Sequence, residues 1–265
     1  MNDEVISLDG ITPTWLANEL DDQGVVRLRN VFSDEWLNAM RESVDYCIAH
    51  NGDGDFFIAE ADHEVGSPAH QLVSDPAFRE LFIDAAKLRW PKADSANNDI
   101  RCSMLVRAGN GPKARSNRFH YDGAVLTMVV PIFIPEADIG TNGELAAFGN
   151  KRRFRRFLAS HLVDMILTHN SLYRRRISRT VQAAPEKHLV ELRPGDAYLF
   201  WGYRTFHGNL PCAPGLLRTT LVLHYGEVHS DSWALKMVWR FSRSRRDLGP
   251  LQYRSAIPVG PEVSA

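Results

Sequence analysis

The sequence predicts an α+β protein in which amphipathic helices precede a β-sandwich or barrel, and three observations carry that prediction. Up to about residue 95 apolar residues recur at helical spacing. From about residue 100 they gather into short runs rich in Val, Leu, Phe and Tyr, separated by Gly, Pro and Asn. One basic helical stretch, at about 150–180, interrupts those runs. Helices followed by many short strands are the pattern of a helix-flanked β-core. At 265 residues and 44% hydrophobic content, the chain reads as one domain, 1–265, with a sizeable core.

The elements follow in order. Thr12 followed by Pro13 starts a helix with Trp15, Leu16 and Leu20 on one face, and Gly24 ends it. "VVRLRNVF" reads as a strand. Ser33 caps a second helix in which Trp36, Leu37, Met40, Val44, Cys47 and Ile48 share a face. Residues 51–66, rich in Gly and Asp, read as a loop, and "DPAFRELFIDAAKLRW" as another amphipathic helix. The helical part thus spans about 12–95, and a β-core spans about 100–226. Its strands are "RCSMLVRA", "AVLTMVVPIFI", "HLVELR", "AYLFWGY" and "LLRTTLVLHY", with a tight turn at Pro194-Gly195. Within the basic insertion, Phe154, Phe157, Leu158, Leu162, Met165 and Ile166 form an apolar stripe expected to cover one end of the core. Residues 227–265 form a C-terminal extension with an extended end.

The formal net charge of -1 excludes a generally cationic nucleic-acid binder, so no nucleic-acid partner is expected. The charge is uneven, however. Residues 1–50 carry 10 acidic and 3 basic side chains, whereas residues 151–179 carry nine Lys or Arg against the single Asp164. Three scattered cysteines, Cys47, Cys102 and Cys212, suit neither a disulfide scaffold nor a cysteine zinc site and fit a reducing cytosol. The first residues lack a signal-peptide pattern and no run reaches about 18 apolar residues, so a soluble, cytoplasmic protein is expected.

The chemistry begins at "NRFHYDGAVL". In an extended segment residues i and i+2 point the same way, so His120 and Asp122 can reach one metal ion while Tyr121 turns aside. A lone His-x-Asp occurs often by chance and needs a third ligand. His207 supplies it, and two histidines with one carboxylate form the facial triad of non-haem Fe(II) oxygenases. Arg218, eleven positions on, carries a permanent charge that can grip a carboxylate with two parallel hydrogen bonds, and Thr220 shares its strand face.

His120-x-Asp122, His207, ten residues and then Arg218 resemble the Fe(II)/2-oxoglutarate-dependent oxygenases, specifically the phytanoyl-CoA dioxygenase family. "LDDQGVVRLRNVFSDEWLNAMRESV" is similar to that family's N-terminal segment. "TNGELAAFGNKRR" looks like its motif after the His-x-Asp strand, with "AAFGN" where the family usually ends Pro-Gly-Ser-His. The resemblance runs from about residue 12 to residue 226. It implies a double-stranded β-helix (jelly-roll, cupin-like) core with flanking helices. It also implies Fe(II), 2-oxoglutarate and O2, with hydroxylation of a substrate carbon coupled to release of succinate and CO2. By family position Asn209 joins Arg218 and Thr220 in holding 2-oxoglutarate. Because Asp122 is a carboxylate, no ligand site is vacated for a halide.

Other residues leave alternatives open. His224, six residues after Arg218 on the same face, either lines the interior or is a hydrogen-bonded core histidine. His161 and His169 fit packing or surface roles. The candidate substrate contacts are Trp201, Arg107, Arg152, Arg153 and Arg175, although Trp201 and Tyr203 suit core packing equally well. Arg152, Arg153, Arg155 and Arg156, with Arg174, Arg175, Arg176 and Arg179, form either a solvated basic face or a site for a phosphorylated, carboxylated, CoA- or lipid-linked substrate. A basic amphipathic helix could also make peripheral membrane contact. The rival functions are a jelly-roll metal oxygenase without a cosubstrate and a non-catalytic binding protein of the same fold.

Overall fold

Local signals start and stop the N-terminal helices in the computed structural model, which describes residues 5–52, 54–93, 99–107, 119–154 and 171–228. Helix α1, Pro13–Gln23, begins where the Thr12 hydroxyl accepts the Trp15 N–H, and it ends at Gly24, whose positive φ only glycine adopts freely. Leu16, Ala17 and Leu20 are buried. Trp15, expected on the same face, is 42% exposed, because at 100° per residue it lies about 150° around the helix from the centre of that set. Helix α2, Asp34–Asn51, is capped by Ser33 and buries Trp36, Leu37, Met40, Val44 and Cys47. A cap contributes about 1 kcal/mol and each large buried side chain roughly 1.5–3 kcal/mol. Packing therefore holds these helices, and the caps set their ends. Asp75 closes α3, Pro68–Ser74, which the sequence did not suggest, and opens α4, Pro76–Arg89.

The strands are β1 (Val25–Leu28), β2 (Phe56–Ala59), β3 (Arg101–Arg107), β4 (Ala124–Phe133) and β5 (Leu145–Phe148). After helices α5 (Ser171–Ala183) and α6 (Pro185–His188) come β6 (Leu189–Val190), β7 (Ala197–Phe200), β8 (Phe206–Asn209) and β9 (Arg218–Glu227). They form a six-stranded sheet, β1-β7-β4-β9-β3-β2, and a three-stranded sheet, β6-β5-β8, with every pair antiparallel. This is a jelly-roll core with α1–α4 against the outer face of the large sheet and α5 against that of the small one. β1 is shorter than its apolar run because Asn30, at φ 50, turns the chain. β2 lies in the stretch that reads as a loop: "FFIA" pairs with β3 at the sheet edge.

Alternation divides the large sheet into two faces. Leu221, Leu223 and Tyr225 of β9 join Leu16, Leu37 and Phe82 in the core beneath the helices. Arg218, Thr220, Val222 and His224 point the other way, toward the small sheet. A second cluster, Val129, Leu145, Leu192, Tyr198 and Phe200, fills part of the space between the sheets. The outer face of the small sheet, Ala146 and Phe206, is covered by Ile177 and Val181 of α5.

The segment after β5 meets α1. A Cβ on Gly24 would lie 2.7 Å from the Gly149 Cα, and the Asn150 side chain donates to the Leu20 and Asp21 carbonyls. "FGN" therefore seats the end of α1 against the core. Of the insertion's apolar stripe, Phe154 packs among Trp90, Trp201 and Tyr203. Phe157, Leu158, Leu162, Met165, Ile166, His161 and His169, and the extension from residue 229, lie outside the described residues. Among the described residues no helix is long and apolar enough to cross a membrane.

Candidate metal centre

The three ligand candidates meet where the chain passes from one sheet to the other. His120 and His207 exchange backbone hydrogen bonds of 2.8 and 3.0 Å, extending the small sheet beyond β8. Two residues later the Asp122 N–H donates to the Gly202 carbonyl, and β4 then enters the large sheet. The Asp122 Oδ1 lies 3.3 Å from His120 Nε2 and 3.6 Å from His207 Nε2, and one ligand atom from each residue falls within 4.8 Å of the others. Tyr121 turns outward onto Phe206. The His120 side chain is 51% exposed, whereas Asp122 and His207 are nearly enclosed, so the group opens to solvent on the His120 side.

The electrostatics suit a cation. Burial pushes the Asp122 carboxyl upward, but the imidazoles of His207, His224 and His120 outweigh it and hold Asp122 well below the usual carboxylate value. Burial pushes His207 down to about 4, leaving it neutral at physiological pH. Its Nδ1 lies 3.1 Å from the Thr205 carbonyl, which assigns the proton to Nδ1 and the lone pair to Nε2, the atom facing Asp122. A carboxylate oxygen and two imidazole nitrogens are the donor set of a divalent first-row metal.

Arg218, at the start of β9, is 2% exposed, yet Nη2 has only a 3.3 Å bond to Asn209 Oδ1, and Nε and Nη1 have no partner among the described residues. Arg107 stands opposite it in register, tied to Asp55 at 2.9 Å. Burial, and then the charge of Arg107, push Arg218 down to about 10. A Cβ on Gly143 would come within 2.9 Å of the Arg218 Cδ, so glycine is required for the arginine to lie there. A buried cation with two unmet donors fits a carboxylate. Asn209 and His207 are two residues apart on one face of β8, about 7 Å along the strand, a span suited to a short dicarboxylic acid.

The other sequence candidates are dispersed. Trp201 is fully buried in the helix-side core, its indole N–H donating to Asp21 at 3.0 Å. Arg152 is buried with its guanidinium between the rings of Tyr121 and Tyr203, at 3.9 and 4.0 Å, and donates to the Tyr203 carbonyl. Arg153 is exposed, and the Arg175 side chain lies outside the described ones. On α5 the buried Ile177 and Val181 face the small sheet while Arg176 and Arg179 are exposed, so these two arginines stand on the far side of that sheet from His207. Thr220 lies two residues from Arg218 on its face, and His224 reaches to 3.5 Å from Asp122 Oδ2. Thr127, which donates to that oxygen, was not singled out in the sequence, although it is the one hydroxyl in "AVLTMVVPIFI".

No protein-family model matches the chain, and no curated protein matches it significantly by sequence. Solved structures do match in fold. A Pseudomonas putida prolyl-4-hydroxylase is 13% identical, with TM-score 0.51, over 82% of this chain and 99% of its own. The non-haem alpha ketoglutarate-dependent epimerase SnoN of nogalamycin biosynthesis is 14% identical, with TM-score 0.51, over 81% and 83%. EctD from S. alaskensis, solved with 2-oxoglutarate and 5-hydroxyectoine, is 15% identical, with TM-score 0.51, over 85% and 81%. The chain shares the jelly-roll fold of these structures and carries within it a His-Asp-His group able to hold a metal ion.

Proposed function

We propose that the protein is an Fe(II)- and 2-oxoglutarate-dependent oxygenase that hydroxylates a carbon of a small molecule. The observation that carries this reading is Arg218: a buried guanidinium with two donor nitrogens unmet among the described residues, beside Asn209, which lies two strand positions from His207. A metal site alone would not call for it. The order and spacing of the four residues also favour the phytanoyl-CoA dioxygenase group. SnoN has been solved with Fe3+, alpha ketoglutarate and a nogalamycin compound, and EctD with 2-oxoglutarate and 5-hydroxyectoine. Those complexes support the same cofactors and a small-molecule substrate here.

In this reading His120 Nε2, Asp122 Oδ1 and His207 Nε2 bind the iron. Fe(II) supplies O2 activation, with oxidation of 2-oxoglutarate to succinate and CO2 as the coupled reaction. Arg218 holds the cosubstrate's distal carboxylate, with Asn209 fixing one guanidinium nitrogen and the Thr220 hydroxyl on the same face. Val129, Leu145 and Phe200 keep water from one side of the space between the sheets. The half-buried Phe57, Leu105 and Val222, on the face that bears Arg218 and Thr220, offer an apolar floor for the substrate. For an anionic substrate, Arg107 is the described sequence candidate on the face that bears Arg218, where it is also tied to Asp55.

Anaerobic titration with Fe(II) and then 2-oxoglutarate tests the reading. The expected result is the weak visible charge-transfer band of the chelate, lost in Asp122→Ala and weakened in Arg218→Ala. Iron binding without a band would make the protein a cosubstrate-free metal oxygenase. Binding of neither would make it a non-catalytic protein of this fold.

A further inference from the structure

The two oxygens of the Asp122 carboxylate have different surroundings. Oδ1 faces the imidazoles of His120 and His207. Oδ2 faces into the large sheet, where the buried Thr127 hydroxyl donates to it at 2.7 Å and His224 Nε2 lies 3.5 Å away. Thr127 and His224 are directly paired across β4 and β9, so their side chains rise from the same face at the same level. Gly202 closes a third side: a Cβ there would lie 2.8 Å from Oδ2 and 2.3 Å from the Thr127 hydroxyl. Three separate stretches of chain thus converge on the oxygen turned away from the candidate ligands.

A hydroxyl bonded to a buried carboxylate is a charge-assisted contact, stronger than a neutral one. Rotation of the carboxylate would break it, and both oxygens could then face the ion. We infer that Thr127 and His224 are positioning residues for the metal centre, holding Oδ2 so that Asp122 offers Oδ1 alone as a one-oxygen ligand. One oxygen and two imidazoles leave open positions on one face of the ion, whereas a two-oxygen carboxylate would fill one of them. The inference rests on the metal-centre part of the proposed function and not on the cosubstrate or substrate.

Titration of the full chain with Co(II), whose visible absorption reports ligand number and symmetry, tests it without turnover. Thr127→Val keeps the shape and removes the hydroxyl, and His224→Phe removes the ring nitrogens. Co(II) affinity is expected to fall about tenfold or more in Thr127→Val and severalfold in His224→Phe, with a changed band intensity in both. Thr127→Ser and His224→Gln, which keep a donor, are expected to restore wild-type spectra. If wild type binds Co(II) and both disabling variants, folded by near-UV circular dichroism, bind it with unchanged affinity and spectrum, the inference is overturned while the metal centre stands. If wild type binds no Co(II), the metal-centre reading falls and the inference with it. Should Thr127→Val not fold, the partly exposed His224 provides the same test through His224→Phe.

Discussion

Two buried charges in the large sheet are treated in opposite ways. Asp196, 2% exposed, lies in the turn before β7 and is fully engaged. Arg27 Nε and Nη2 each approach Oδ2 at 2.6 Å, the Asn30 N–H donates to Oδ1 at 2.8 Å, and the Tyr198 hydroxyl stands 3.3 Å from Oδ2. Arg218, equally buried, has among the described residues one long bond to Asn209 and two unmet donors. Enclosing an ion costs several kcal/mol unless partners compensate. The chain supplies its own partners at Asp196, which joins β1 to β7. At Arg218 the described residues supply no such partners, and the proposed 2-oxoglutarate carboxylate would fill that role.

The largest effect expected from this contrast is on folding. Asp196→Ala should destabilise the chain by about 3 kcal/mol or more in urea denaturation, because it strands the Arg27 guanidinium and the Asn30 N–H. A loss below about 1 kcal/mol would break the comparison from its closed side. Arg218→Met should leave the ligand-free chain as stable as wild type, or up to about 1 kcal/mol more stable, since it removes a desolvated cation with few partners. The same variant should weaken 2-oxoglutarate binding by about 30-fold or more, measured calorimetrically with Fe(II) present and air excluded. Destabilisation as large as that of Asp196→Ala would show that Arg218 is a structural ion like its counterpart.

The smallest effect is a pH dependence that sharpens the contrast. Burial, and then Arg107, push Arg218 down to about 10, still far above neutrality, so the guanidinium keeps its charge across the working range. Affinity for 2-oxoglutarate should therefore stay level from about pH 7 to 9. A change of about tenfold or more across that window would show that a titrating group other than Arg218 carries the contact.

How legible these features were depended on the range of the interaction that makes them. Thr12, Ser33 and Asp75 mark helix starts within three residues, and the i, i+2 rule puts His120 and Asp122 on one side with Tyr121 on the other. Spacing and family resemblance single out His207, Arg218 and Asn209 as candidates. β5 and β8 were missed because "LAAF" and "FHGN" are short and contain Ala or Gly, which carry little strand preference. They are strands because they pair with each other, and His207 rides on one of them. Trp201 sits close to His207 in sequence, but its face of the chain belongs to the helix-side core.

The sequence by itself determined the helix ends, the apolar alternation of the long strands and the residue types of the candidate metal site and the proposed carboxylate site. Each of these is set by groups within a few residues or by side-chain chemistry that does not depend on context. Only the tertiary structure decided that Asp196 is satisfied and Arg218 is not, and that Thr127, His224 and Gly202 surround one oxygen of Asp122. Those outcomes depend on pairings between strands distant in the chain, where burial turns an ordinary charge into one that must find a partner.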